Sequence, residues 1–167
     1  MAVGFSNTNK PLNPRGQDAS PKGYNRASLY SGKALDFDGA NDFVSTPNIS
    51  VQSTNVWTYT ANINFSSALG YWIDARTSDT GYAVYFDNGS RKIILYTTSG
   101  ITFDFVFDFS RWYNISITSN GTVATLYVDG VSVDSLSYNY SASSNGNLFI
   151  GQRHTGGNYL DGQIAGF

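Results

Sequence analysis

The sequence predicts an all-β protein folded as a two-sheet antiparallel sandwich, and two features of the chain carry this prediction. The first is composition. Glu is absent, the other helix formers are sparse, and the β-favouring residues Thr, Tyr, Val, Phe and Ile are abundant. The second is periodicity, because short runs of alternating apolar and polar residues recur between turn signals from Lys33 onward. We expect about ten to twelve short strands and no helix.

Alternation is clearest in residues 56–65, VWTYTANINF, where Trp57, Tyr59, Ala61, Ile63 and Phe65 share one face. The dipeptides Asn120-Gly121 and Asp129-Gly130 separate alternating runs, so 112–136 is predicted to be a three-strand meander. We expect the tryptophans Trp57, Trp72 and Trp112 in the core. The other predicted strands cover residues 34–38, 71–76, 81–87, 92–97, 101–109, 147–151 and 159–164, and a further strand containing Phe43 and Val44 is predicted after the Asp38-Gly39 turn.

Residues 1–32 differ from the rest of the chain and are predicted to form an extended N-terminal arm. The segment is rich in Pro, Gly, Asn and Ser and shows neither helical nor strand periodicity. One interpretation is a flexible leader. The other is an arm that becomes ordered on a partner subunit, for which the aromatic and basic side chains Phe5, Tyr24, Arg26 and Tyr30 are suited.

Charge and cysteine content exclude several classes of function. The net charge is -2 and no basic block occurs, so nucleic-acid binding is not expected. Cysteine is absent, which excludes disulfides and thiolate metal sites. The N-terminal stretch lacks the apolar run of a secretory signal, and no segment is apolar enough to insert in a membrane. We therefore expect synthesis in a cytosol.

Four stretches, in order, resemble the laminin-G-like jelly-roll domains of the concanavalin A-like lectin/glucanase superfamily. They are ALDFDGANDFVSTP, VWTYTANINF, RWYNISITSNGTVATLYVDGVSVDS and NLFIGQRHTGGNYLDGQIAGF. The resemblance covers residues 33–167 and implies a jelly-roll sandwich. Members of the family usually continue past the last of these stretches, so the final strand is expected to be truncated, and an exposed sheet edge would favour homo-oligomers.

The resemblance implies three functions, since this fold carries hydrolases, lectins and virus-particle proteins alike. The first hypothesis is a non-enzymatic phage virion protein (a head decoration, fibre or tail component). It would dock on other virion subunits through residues 1–32 and contact host surface glycans. The second is a carbohydrate-binding module of an extracellular or cell-surface bacterial protein. The third is a glycoside hydrolase.

Catalysis is the weakest of the three. The related glucanases use paired Glu residues, which this chain lacks. Asp104 and Asp108 are the best remaining carboxylate pair, but we interpret them as a solvated face. We predict that the protein is not an enzyme and needs no cofactor for catalysis.

Sugar binding requires aromatic platforms surrounded by hydrogen-bonding groups. Two polar loops provide such groups, and the predicted ligand-binding residues are Arg76, Tyr82, Arg153, His154, Asn158 and Tyr159.

Calcium is the one metal that the sequence suggests. Asp38, Asn41 and Asp42 could supply oxygen ligands at the rim of the sandwich, although calcium needs more ligands than these three. The alternative, which we favour, is that Asp38-Gly39 is a turn and that Asp42 caps backbone amides.

Overall fold

The computed structural model describes residues 34–49, 55–66, 69–77, 80–140 and 146–166. The predicted arm, residues 1–32, lies outside the described residues. Within these ranges the chain forms twelve strands and no helix, so no helix able to cross a membrane occurs there. The strands are β1 (Leu35–Asp38), β2 (Val44–Ile49), β3 (Val56–Phe65), β4 (Gly70–Asp74), β5 (Ala83–Asp87), β6 (Lys92–Tyr96), β7 (Gly100–Thr102), β8 (Trp112–Asn120), β9 (Val123–Val128), β10 (Val131–Ser137), β11 (Gly146–Ile150) and β12 (Asp161–Ala165).

The strands form two antiparallel sheets, as the composition and periodicity predict. Sheet I has the order β1-β12-β3-β8-β9-β10, and sheet II has the order β2-β11-β4-β5-β6-β7. Strand β12 is paired on both sides, with β1 and with β3. The edges of sheet I are therefore β1 and β10.

Aromatic and branched side chains fill the space between the sheets. Phe65 of sheet I stacks on Phe86 of sheet II with ring centroids 4.0 Å apart. Trp57 stacks on Tyr82 at 4.7 Å. Because alternate residues of β3 and β8 point inward, the opposite positions of both strands form the outer face of sheet I.

The predicted meander is confirmed, with β8, β9 and β10 paired in sequence. Asp129 and Gly130 both adopt positive φ, 51° and 84°, as a two-residue hairpin turn of this kind requires. At the other hairpin only Gly121 does so, and the Asn120 carboxamide oxygen accepts the amide of Thr122 at 3.1 Å.

The prediction of one strand over 101–109 is wrong beyond Thr102. Phe103 and Phe107 are fully buried, as alternation along 101–109 indicates for one face of this segment. After Thr102 the backbone nevertheless leaves the hydrogen-bond ladder of sheet II. The Phe107 amide bonds to the Arg91 carbonyl, whereas the Asp104 amide bonds to the Asp134 carboxylate in sheet I. The segment thus bridges the two sheets.

Trp57 and Trp72 are buried as predicted, but Trp112 is not. Its relative exposure is 43%. The cause is register: Tyr113, Ile115 and Ile117 occupy the inward positions of β8, which places Trp112 on the outer face of sheet I.

Candidate functional site

Three tyrosines, Tyr71, Tyr85 and Tyr96, come together on the outer face of sheet II, which we call the tyrosine face. Tyr71 on β4 pairs in register with Tyr85 on β5, and their rings stack with centroids 4.9 Å apart. Tyr96 extends this surface on β6. Gly100 on β7 lies opposite Tyr96, and a Cβ there would come within 4.0 Å of the Tyr85 hydroxyl. The absence of a side chain at Gly100 therefore leaves the surface above these rings open.

A buried ion pair lies at one end of the tyrosine face. Asp74 ends β4 and has no exposed surface, and Arg76 is 4% exposed. The Arg76 Nε donates to Asp74 Oδ1 at 3.0 Å, and Nη2 donates to Oδ2 at 2.7 Å. This two-pronged geometry is the one that the planar guanidinium favours with a carboxylate.

Arg76 is also enclosed by aromatic rings. Its guanidinium carbon lies 4.8 Å from the ring centroid of Tyr96 and 5.4 Å from that of Tyr71. Burial lowers the pKa of Arg76, but the hydrogen bonds and charge of Asp74 outweigh burial and raise the pKa above its ordinary value. The cation is thus permanently charged and holds two tyrosine rings in place.

The loop between β11 and β12, residues 151–160, which we call the polar loop, is bonded to the Asp74 carboxylate as well. The backbone amide of His154 donates to Asp74 Oδ2 at 3.0 Å, and its Nδ1 lies 3.1 Å from that oxygen. The Tyr71 amide bonds to the Asn158 carbonyl, which ties the loop to β4 a second time. Asp74 therefore joins the two loops in which the sequence predicted ligand-binding residues.

The close approach of loop and strand depends on Gly70. A Cβ at this position would lie 2.5 Å from the Leu160 Cα, a distance that real contacts do not allow. Gly70 thus lets the segment that carries Asn158 and Tyr159 pack directly on β4.

The predicted ligand-binding residues have different environments. Asn158 is exposed, and Arg153, His154 and Tyr159 are half-buried at the rim of the tyrosine face. The Arg153 Nε is buried without a hydrogen-bond partner among the described residues. Arg76 lies too deep for direct contact, so its place in the site is to position the rings.

Tyr82 does not belong to this surface. It is fully buried, stacks on Trp57, and its hydroxyl lies 2.9 Å from that of Tyr59. A ligand contact would need an exposed ring, so we remove Tyr82 from the candidate site. Its ring is a core element because Tyr82 directly precedes β5 and faces the opposite sheet.

The proposed calcium ligands are engaged in local turn contacts. Asp38 Oδ1 accepts the Ala40 amide at 2.8 Å, and Asp42 Oδ2 accepts the Asp38 amide at 3.2 Å. In the described part of the chain, no three His, Cys, Asp or Glu side chains are grouped to hold a metal. Asn41 is exposed beside them. This geometry matches the turn interpretation, and calcium stays an untested prediction.

Asp104 and Asp108 do not face each other as a carboxylate pair. Asp104 bonds to the Lys92 Nζ at 2.7 Å, which lowers the pKa of Asp104, and Asp108 lies 3.7 Å from Arg91. Each carboxylate is therefore paired with its own cation on the surface.

Sequence reasoning missed Tyr85 and Tyr96. Both alternate with inward residues, Val84 and Phe86 on β5 and Leu95 on β6. That alternation was the available signal, and it places both rings outward.

Comparison with known proteins identifies the family. A family model described as the concanavalin A-like lectin/glucanases superfamily matches residues 38–167. No match was found among curated protein sequences.

Solved structures share the fold at low sequence identity. The LG4-5 domains of the mouse laminin α1 chain align with a TM-score of 0.60 and 14% identity, over 78% of this chain and 39% of that one. A heptameric SAP-like pentraxin from Limulus polyphemus gives 0.57 and 17%, over 79% and 72%. The CBM40 module of a Ruminococcus gnavus sialidase, solved with α2,3-sialyllactose, gives 0.56 and 11%, over 79% and 88%. With the two-sheet topology and the family match, the chain belongs to the concanavalin A-like lectin/glucanase superfamily.

Proposed function

We propose that this protein is a non-enzymatic glycan-binding module and that it binds saccharides on the tyrosine face. The observation that carries the proposal is the surface on which the half-buried rings of Tyr85 and Tyr96 lie beside Tyr71, which is itself only 7% exposed, with the buried Asp74–Arg76 pair at one end. Tyrosine rings stack on the apolar face of a sugar, and their hydroxyls bond to its rim.

The polar loop supplies the second half of the site. Arg153, His154 and Asn158 lie at the rim and offer hydrogen-bond donors, and Arg153 adds a positive charge. Because Asp74 fixes His154 relative to Arg76, the rings and the rim are held in one arrangement before a ligand arrives. Such preorganisation lowers the entropy lost on binding.

The fold neighbours support the proposal without deciding it. The sialidase module of similar fold was solved with α2,3-sialyllactose. An arginine at the rim would favour anionic sugars of that kind, so the first comparison to make is sialyllactose against lactose.

The test is glycan binding by the full chain and by the double variant Tyr85→Ala/Tyr96→Ala. We expect the double variant to lose the wild type's binding to sialyllactose on an array, because both stacking rings are removed. Tyr127→Ala is the matched control, since Tyr127 is a half-buried tyrosine of β9 on sheet I. If the control loses binding as fully as the double variant, the tyrosine face is not the site.

We also propose, from the sequence alone, that the module is displayed on a phage virion, with residues 1–32 as the docking arm. The support is the arm's aromatic and basic content together with a cysteine-free chain rich in Gly, Asn and Ser. Deleting residues 1–32 should abolish incorporation into particles while circular dichroism still shows the β-sandwich. Incorporation of the truncated chain would contradict this assignment.

A further inference from the structure

Trp112 lies on the face of the sandwich opposite the tyrosine face and has no function in the site described above. Its exposure of 43% leaves a large apolar ring in contact with water. A single exposed apolar residue is common on protein surfaces. The side chains around Trp112 distinguish it from that ordinary case.

The strand register places a row of polar side chains beside this ring. Trp112 on β8 is opposite Asn64 on β3, Asn64 is opposite Gln163 on β12, and Gln163 is opposite Asp36 on β1. All of these positions belong to the outer face of sheet I, since they alternate with buried residues. Four strands at their usual spacing make this row roughly 14 Å long. An indole, two carboxamides and a carboxylate therefore lie in one line.

The neighbouring row is also built from carboxamides. The Asn114 Nδ2 donates to Asn62 Oδ1 at 3.2 Å, and the Asn62 Nδ2 donates to the Ala165 carbonyl at 3.4 Å. These bonds fix the orientation of both amide groups. We call the surface formed by Trp112, Asn64, Gln163, Asn62 and Asn114 the amide face.

Asn64 supplies the second observation that points to a ligand. Its Oδ1 is buried yet accepts no hydrogen bond from the described residues. An unpaired acceptor costs free energy, and because the Asn64 side chain as a whole is only partly buried, a small movement of it brings the oxygen to a donor from outside the protein. Because Asn64 adjoins Trp112 directly, a molecule stacked on the indole would have its hydrogen-bonding groups beside this oxygen.

Charge decides what kind of molecule fits. The two rows contain no Lys or Arg, and their single carboxylate is Asp36 at the far edge. The nearest cation, Arg111, is paired with Asp129 at 3.7 Å, and the Asp129 Oδ1 accepts the Asn114 amide. Carboxamides bond well to neutral hydroxyl groups, whereas an anionic ligand would find no cation within these rows.

We propose that the amide face is a second saccharide-binding site, specific for neutral sugars. The indole of Trp112 stacks on a pyranose ring, and Asn64 and Gln163 bond to its hydroxyls. This site is separate from the tyrosine face, and only the further consequence, that one module cross-links two chains of a polysaccharide, rests on the proposed function. The inference does not depend on the tyrosine face being functional.

The test uses Trp112 as its own reporter, because Trp57 and Trp72 are buried. The full chain is titrated with cellohexaose, xylohexaose, mannohexaose and maltohexaose, each up to about 10 mM, which saturates even a site of millimolar Kd. At least one of these should shift the indole NH resonance of Trp112 and protect its fluorescence from iodide quenching. Trp112→Ala should weaken that binding by about tenfold or more.

The variants separate this site from the first one. Asn64→Asp keeps the shape but changes the hydrogen-bonding and charge, and it should also weaken binding. Thr118→Ala, on the same face and strand, should not. Tyr85→Ala/Tyr96→Ala should leave the Trp112 response intact even if it abolishes binding elsewhere.

Two results would overturn the proposal. The first is that none of the four oligosaccharides perturbs Trp112. The second is that sedimentation shows a dimer of the wild type that Trp112→Ala dissociates, in which case the amide face binds a second copy of this chain.

Discussion

The outer faces of the two sheets are built on different physical principles. The tyrosine face of sheet II adjoins a buried ion pair, Asp74 with Arg76, which packs against its rings at one end. The outer face of sheet I, which includes the amide face, consists mainly of short polar side chains that bond to one another across strands, as Thr60 does with Ser116. The stability contributed by the tyrosine face therefore depends largely on a single carboxylate, whereas the stability contributed by the outer face of sheet I is spread over many weak hydrogen bonds. The difference predicts where a substitution unfolds the protein and where it changes only a surface.

The largest effect is expected from Asp74→Asn. This change keeps the size of the side chain but removes the charge that compensates Arg76 and accepts the His154 amide. Breaking a buried pair in this way costs about 3–5 kcal/mol, because it leaves an uncompensated charge in the interior. Urea unfolding followed by tryptophan fluorescence measures the loss.

Asp104→Asn is the matched control for that measurement. Asp104 is ion-paired with Lys92 at the same short distance of 2.7 Å, but its side chain is 85% exposed. Water screens such a pair, so the stability should change little. Equal stability losses in the two variants would show that burial does not determine how much these ion pairs stabilise the fold.

The next effect is expected from Gly70→Ala. The new Cβ would clash with the backbone of Leu160 and push the polar loop away from β4. Over-packing of this kind costs about 1–3 kcal/mol. We also expect weaker glycan binding on the tyrosine face, measured on the same array, because the rim residues move with the loop.

Gly89→Ala should have neither effect. Its Cβ would meet only the Asp87 carboxylate, at an ordinary 3.7 Å. If Gly70→Ala behaves like this control, the loop is not held against β4 as tightly as the structure indicates.

These sites show what the sequence can and cannot reveal. The limits of β3 and the three-strand meander follow from alternation and turn residues, which are local signals. The link between Asp74 and His154 joins residues 80 positions apart, and no local pattern encodes it. Trp112 was misplaced because residue type was given more weight than register, although the inward positions of Tyr113 and Ile115 fix its direction.

Alkaline pH should weaken the sandwich through Tyr59, whose hydroxyl bonds to that of Tyr82 between the sheets. Burial raises the pKa of Tyr59 to about 12, although the hydrogen bond from Tyr82 lowers it. The unfolded phenol ionises near pH 10, so the stabilisation is complete below pH 10 and is lost as the pH rises through about 12.

Chemical denaturation at a series of pH values tests this expectation. Between pH 10 and 12 the free energy of unfolding should fall more steeply for the wild type than for Tyr59→Phe, which has no phenol to ionise at this position. Parallel curves would mean that Tyr59 contributes nothing to alkaline unfolding.

The smallest effect is expected on the outer face of sheet I, from Thr60→Val. The substitution keeps the branched shape and removes the hydroxyl that bonds to the Ser116 Oγ at 2.7 Å. A cross-strand pair of this kind contributes about 0.2–1 kcal/mol, and valine recovers part of it through its preference for strands. Urea unfolding should therefore barely distinguish the variant from the wild type. A loss of several kcal/mol would show that the polar network on sheet I stabilises the fold. In that case the uncharged surface beside Trp112 would be explained by stability, and the contrast between the two faces would disappear.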